Sequence, residues 1–306
     1  MRLQDLSNEQ LSQYADKAIA HGKTNHALNA LNQLVRRQPD QAIFLKLADL
    51  YQQLKRPAIE ALYLQAALQK VSTSPRKTLE ARRDGCLERF LESNPKVVQA
   101  QANLAKAPYS RDILADRKKF QALAQKGDTD AAFTLGMRQH EAGKVDPLIQ
   151  AVWCSLAMRR GRHQAALTAA FVAFAYNPAD WIALTNIADI LIQLRRPTQA
   201  LDYALASVNL RPQSATGWLN LGATWELLGK TWESINATRK AIEINPKDPA
   251  AWTNLGNAHK NSGHLVDALP AYREALRLNP ENPALWSNLL FGINYDPRAS
   301  AQQIAK

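Results

Sequence analysis

The sequence predicts an all-α solenoid, a stack of antiparallel helix pairs, and three observations carry that prediction. Pro178, Pro212, Pro246 and Pro280 recur every 34 residues, a period that one helix–turn–helix unit fills. Small residues recur at three fixed places in that period. In three of the four units a glycine falls where the first helix should turn. No alternating apolar–polar runs indicate strands.

Placing each proline at position 32 sets the units at 147–180, 181–214, 215–248 and 249–282. Position 8 is then Cys154, Ala188, Gly222 and Gly256. Position 20 is Ala166, Ala200, Ser234 and Ala268, and position 27 is Ala173, Ser207, Ala241 and Ala275. Small side chains at these places let two helices, and then the next unit, approach closely; larger ones would overpack the contact. Position 4 is Trp218, Trp252 and Trp286, and position 7 is Ile187, Leu221, Leu255 and Leu289. Gly161, Gly229 and Gly263 follow the first helix, where a left-handed residue closes a helix end. The proline ends the second helix.

These residues, as in WTNLGNAHKNSGHLVDALPAYREALRLNP, resemble the tetratricopeptide repeat (TPR). The resemblance implies a TPR superhelical solenoid of stacked antiparallel helix pairs.

The N-terminal end follows the pattern less strictly. Leu11, Tyr14, Ala15, Gly22, Ala27 and Pro39 fit a unit starting at Asn8, and a second unit starts near Gln41. Its turn, Lys55-Arg56-Pro57, resembles Arg195-Arg196-Pro197. We therefore expect an N-terminal repeat-like pair at 1–72. From 73 to 128 the register is lost, though the segment still reads as helices, with a turn at STSPRKT and breaks at Asn94-Pro95 and Ala107-Pro108. This is read as an irregular basic helical connector. The main array occupies 129–306. It opens on a first-type helix with Leu135-Gly136 and Gly143 and no second helix before Pro147, and it ends in a terminal helix at 283–296.

The chain has 306 residues and a net charge of +11. The excess lies mostly in residues 1–128, which carry 21 Lys/Arg and 13 Asp/Glu, against 17 and 14 in the remainder. Arg36-Arg37, Lys55-Arg56, Arg82-Arg83 and Lys118-Lys119 are scattered doublets with few aromatics to stack on bases, so a nucleic-acid surface is disfavoured. Cys86 and Cys154 are far apart, without metal-ligand spacing, which suggests a reducing compartment. No apolar leader opens the sequence and no run spans a bilayer, so a cytoplasmic protein without a membrane partner is expected.

The groove of such a stack is lined mainly by first helices. Position 6 is Asn186, Asn220, Asn254 and Asn288. Asparagine is a poor helix former whose amide both donates and accepts. A column of four can pair with the backbone of an extended peptide without reading its sequence. The same column also fits ordinary solvated groove residues. Asp189, Asn257 and Lys260 neighbour it and could add selectivity. The partners expected are therefore protein or extended peptide segments held in the concave groove.

TPR domains that hold acidic chaperone tails resemble one another in having Lys at position 5 and Asn at position 9. Here position 5 is Thr185, Leu219 and Thr253, and only Asn257 matches at position 9, so that clamp is absent. No phosphate loop, HExxH pair or nucleophile dyad is present, and no alternating βα pattern. No catalytic residue, metal or cofactor is expected within this chain.

The stretch NPALWSNLLFGINYDP (282–297) starts as another unit, with Trp286, Asn288 and Leu289 in register, then places bulky Leu290 at position 8. Tyr295-Asp296-Pro297 should stop the helix. LWSNLLFGINYDP after such units resembles the junction in SPINDLY-type O-GlcNAc transferases, over roughly residues 181–306. The resemblance implies that the groove presents protein substrates to a transferase using UDP-N-acetylglucosamine or a related sugar nucleotide. The catalytic residues of that family have no counterpart here. A capping helix on a stand-alone adaptor or assembly scaffold is the alternative reading.

Overall fold

The structure, a computed structural model, describes residues 3–71, 76–94, 97, 111–141 and 146–294. Among them are sixteen α-helices and no strand. In order they are α1 (Asn8–Ala20), α2 (Thr24–Arg37), α3 (Gln41–Gln53), α4 (Pro57–Leu68), α5 (Arg76–Glu92), α6 (Arg111–Gln125), α7 (Thr129–Glu141) and α8 (Pro147–Arg159). Then follow α9 (His163–Tyr176), α10 (Trp181–Gln193), α11 (Pro197–Leu210), α12 (Ala215–Leu227), α13 (Thr231–Ile244), α14 (Pro249–Asn261), α15 (Leu265–Leu278) and α16 (Pro283–Asn294). The chain divides into two compact units, Met1–Ile190 and Leu191–Lys306. The division falls inside α10, away from the changes of register at 72/73 and 128/129. Gly143, Ala107-Pro108 and the expected stop at Tyr295-Asp296-Pro297 lie outside the described residues.

The helix starts follow a rule. First helices open on a side-chain cap: Ser7 with Gln10 for α1, Asp40 for α3, Asp146 for α8, Ser214 for α12 and Asp248 for α14. These oxygens answer backbone N–H groups that have no partner inside the helix. Second helices such as α2, α4, α9, α11 and α13 have no such cap. Each starts two residues after one in the left-handed conformation, which turns the chain by itself. That residue is Gly22, Gly161, Gly229 or Gly263 in four turns, and Lys55 (φ 54°) or Arg195 (φ 56°) in the two turns whose likeness the sequence displays.

In the first unit, α1 pairs with α2 and α3 with α4. Leu11, Ala15, Ala27, Leu31, Leu47, Ala48 and Ala61 are fully buried between them. The connector region starts with a packed helix. α5 lies on α4, where Glu60, 1% exposed, takes Arg82 Nε at 2.9 Å and a guanidinium nitrogen of Arg89 at 3.4 Å. Arg82 also reaches Asp49 at 2.7 Å, and Arg83 reaches Gln65 at 2.7 Å. Further along, Arg117 Nε pairs with the fully buried Asp146 at 2.7 Å. Much of the basic excess at 73–128 therefore answers buried carboxylates, where an unpaired partner would be costly. Phe90 meets Phe171 and Phe174 edge-on, at 5.2 and 5.6 Å between ring centroids, and so ties α5 to α9 as well.

The stretch read from the sequence as lacking a second helix before Pro147 has a packing solution among the described residues. α8 is the next described helix after α7, and its Trp153 is fully buried, stacked on Phe133 at 5.7 Å with Nε1 donating to the Phe133 carbonyl at 2.9 Å. A Cβ on Gly136, at position 8 of that unit, would fall 2.1 Å from Trp153 Cδ1. One indole fills the space that a second helix occupies elsewhere.

In the second unit, α12 pairs with α13, α14 with α15, and α16 packs on α15. Ala200, Ser234 and Ala268 at position 20 are fully buried, as are Ser207 and Ala275 at position 27. A Cβ on Gly222 would meet Thr238 Oγ1 at 2.5 Å, and one on Gly256 would meet the Tyr272 ring at 2.5 Å. The position-4 tryptophans share one role. Trp218, Trp252 and Trp286 Nε1 donate to the carbonyls of Pro212, Pro246 and Pro280 at 2.7, 2.8 and 2.9 Å. Each indole fastens the turn that precedes its own helix, and satisfies a carbonyl left over where the previous helix ends. On α16, Leu285 and Leu289 are buried against α15, while Trp286, Leu290 and Phe291 stay exposed.

Candidate functional site

The four position-6 asparagines sit on first helices, but their side chains stand in four different states. In the first unit, Asn186 Nδ2 donates to Cys154 Sγ at 3.2 Å and to the Ala151 carbonyl at 3.5 Å, linking α10 to α8. The Cys154 thiol is pushed up to about 11, first by burial, so it is no nucleophile. Asp189 lies half-buried one turn on, close enough for its charge to act on that thiol. Leu148, Val152 and Ile182 are exposed at positions 2 and 6 of α8 and position 2 of α10. This stretch of first helices is therefore more apolar than the asparagine column alone suggests.

In the second unit, Asn220 is 8% exposed and largely withdrawn from solvent. Asn254 is half-buried, and its side chain makes no hydrogen bond among the described residues. Asn288 is half-buried and accepts from Lys260 Nζ at 3.2 Å. Asn257 accepts from the Tyr272 hydroxyl at 2.9 Å. Tyr272, at position 24 of its unit on the second helix α15, is pushed up to about 12 by burial and then by the charge of Glu226.

Glu226, Asn261 and Tyr272 were not singled out from the sequence, yet they complete the polar wall. Asn261 Nδ2 donates to Glu226 Oε1 at 2.7 Å. Burial raises the Glu226 carboxyl above the ordinary range, and the Lys260 charge partly offsets that. Glu226 and Asn261 stand at positions 12 and 13 of first helices, about two turns on from position 6, so the register held a signal for them; Tyr272, on a second helix, had none there. His259, at packing position 11, is half-buried, and its imidazole is lowered by burial and by Arg239.

The wall can donate and accept hydrogen bonds. Among the described residues no group of His, Cys, Asp or Glu side chains is placed to hold a metal, and no helix is long and apolar enough to cross a membrane.

Tetratricopeptide-repeat family models match residues 15–75, 155–216 and 249–282, stretches of 61, 62 and 34 residues that together make 157 of the 306. The chain belongs to the tetratricopeptide-repeat family. Among solved structures it is similar to a thermophilic TPR protein of Thermus thermophilus, with 20% identity over 59% of this chain and 98% of that one (TM-score 0.49). It is also similar to MamA of Desulfovibrio magneticus, with 18% identity over 56% and 98% (TM-score 0.48). A third is YrrB, described as a TPR protein with an unusual peptide-binding site, with 14% identity over 66% and 96% (TM-score 0.46). No curated protein matches the sequence significantly.

Proposed function

We propose that this chain is a protein-binding scaffold that takes extended segments of partner proteins on its first-helix face. The observation that carries the reading is Asn254: a half-buried amide on the groove face with both its donor and its acceptor unengaged. A peptide backbone offers the matching N–H and C=O. Asp189, Asn257 and Lys260 stand beside the asparagines on the same faces and would add side-chain selectivity. The test is selection of random ten-residue peptides on the full chain, followed by titration of a selected peptide against the unaltered chain and Asn254→Ala. Selective, Asn254-dependent binding supports the reading; a chain that retains no peptide contradicts it.

The finer reading is that the groove recruits substrates for a SPINDLY-type O-GlcNAc transferase. What supports it is the string from Leu285 to Pro297, with Asn288 on the groove face and a bulky Leu290 at position 8. Sequencing the transcript past the Lys306 codon tests it. A frame continuing into a sugar-nucleotide-binding region supports the transferase reading, and an immediate stop codon supports the adaptor.

A further inference from the structure

Among the described residues, several carboxylates withdrawn from solvent are answered by arginines or by backbone N–H groups, while half-buried Asp116 accepts a single amide bond from Gln139 Nε2 at 3.0 Å. Glu60 and Asp146, fully buried, have arginines. Asp40 and Asp248, half-buried, cap helices and take backbone N–H groups. Glu226 likewise has neither an arginine nor a backbone N–H group, and it stands on the first-helix face at issue. It is half-buried at position 12 of α12 and forms no ion pair among the described residues. Its one hydrogen bond is Asn261 Nδ2 to Oε1, at 2.7 Å, which leaves Oε2 without a donor. Lys260 does not fill the gap: its ammonium is held by Asn288 Oδ1 at 3.2 Å, and its charge reaches Glu226 only at longer range.

We propose that the groove face of the second unit carries a subsite for a cationic side chain of the bound segment, arginine or lysine, with Glu226 as its counter-anion. This rests on the peptide-binding reading above. Asn261 fixes the carboxylate by occupying one lone pair of Oε1, while Oε2 and the second Oε1 lone pair remain for a guanidinium or ammonium. Tyr272, bonded to Asn257, stands close enough to feel the Glu226 charge. A cation entering there meets a carboxylate whose hydration burial has already reduced. A neutral or acidic residue at the same place would leave the carboxylate further desolvated and unpaired, which selects against it. Asn254 supplies backbone contacts that any sequence satisfies; Glu226 supplies the discrimination.

The experiment is a parallel selection of random ten-residue peptides on the full chain and on the full chain carrying Glu226→Gln. Glutamine keeps the size and the Asn261 bond but removes the charge. The unaltered chain should enrich arginine or lysine at one place in the peptides, and Glu226→Gln should lose that enrichment. A selected peptide should bind Glu226→Gln about ten-fold more weakly, and so should its arginine-to-citrulline twin bind the unaltered chain. Combining the two changes should add little, because both remove one interaction. Glu226→Asp, which keeps the charge, should keep the cationic preference at reduced affinity, and circular dichroism melts show that each variant is folded. Peptides without cationic enrichment, or equal binding by Glu226→Gln, overturn the subsite while leaving the peptide-binding reading intact. Failure of the unaltered chain to retain any peptide overturns both.

Discussion

Lys260 Nζ donates to Asn288 Oδ1 at 3.2 Å, joining position 12 of α14 to position 6 of α16. Through such contacts the second unit turns a column of identical residues into three distinct ones. Asn288 is held by a neighbouring ammonium, Asn220 is buried, and Asn254 is open. Identity in sequence is not equivalence in environment. Substitution should separate them: Asn220→Ala should cost about 1–2 kcal/mol of stability, because a buried amide is lost from its surroundings. Asn254→Ala should stay within about 0.5 kcal/mol. Urea unfolding of the two variants checks this, and equal losses would contradict the distinction.

The repeated indole bond makes a second prediction. Trp218→Phe keeps an aromatic ring at position 4 but leaves the Pro212 carbonyl without the donor that lies at 2.7 Å. The expected cost is about 1 kcal/mol, read as a lower urea midpoint at unchanged slope. A midpoint equal to that of the unaltered chain would mean that the ring alone does the packing.

The fold was legible because the features that fix it are local and periodic. Position 8 must be small because a second-helix side chain sits on it, as Tyr272 does on Gly256. Position 32 must end a helix. The place of α8 was not legible: nothing in the register says that Trp153 takes the slot of an absent helix over Gly136. Such a contact depends on how α7 and α8 pack, not on spacing. The same limit applies to the candidate site. The asparagine positions were readable, but Tyr272 reaches Asn257 from a second helix, and the burial of Glu226 is set by its neighbours.

Thr238 shows a local defect in the core. Its Oγ1 and Ser234 Oγ are buried without hydrogen-bond partners, at the place where the next unit has Tyr272. A buried hydroxyl without a partner costs more than a methyl of the same shape. Thr238→Val should therefore raise stability by about 1 kcal/mol, seen as a higher thermal midpoint. A lower midpoint would show that the hydroxyl is satisfied in solution.

Glu226 should make the second unit pH-sensitive in a defined direction. Its carboxyl is raised in the folded chain, so the ionised form is what folding disfavours. The destabilisation is fully present above the folded value and fades as the pH falls through it toward the unfolded value of 4.5. Glu226→Gln should accordingly stabilise the chain at pH 7, with the gain vanishing as the pH approaches 4.5. Paired denaturation curves across that range read the sign. A gain that grows toward low pH would contradict the assignment.

The central claim is that an open amide on the first-helix face meets the backbone of a bound segment. The most direct measurement is the affinity of a selected ten-residue peptide for the full chain with and without Asn254→Ala, alongside the melting curve of each. Binding should weaken about five-fold or more at an unchanged melting temperature, the loss of one or two backbone hydrogen bonds. Unchanged affinity at an unchanged melting temperature would contradict it.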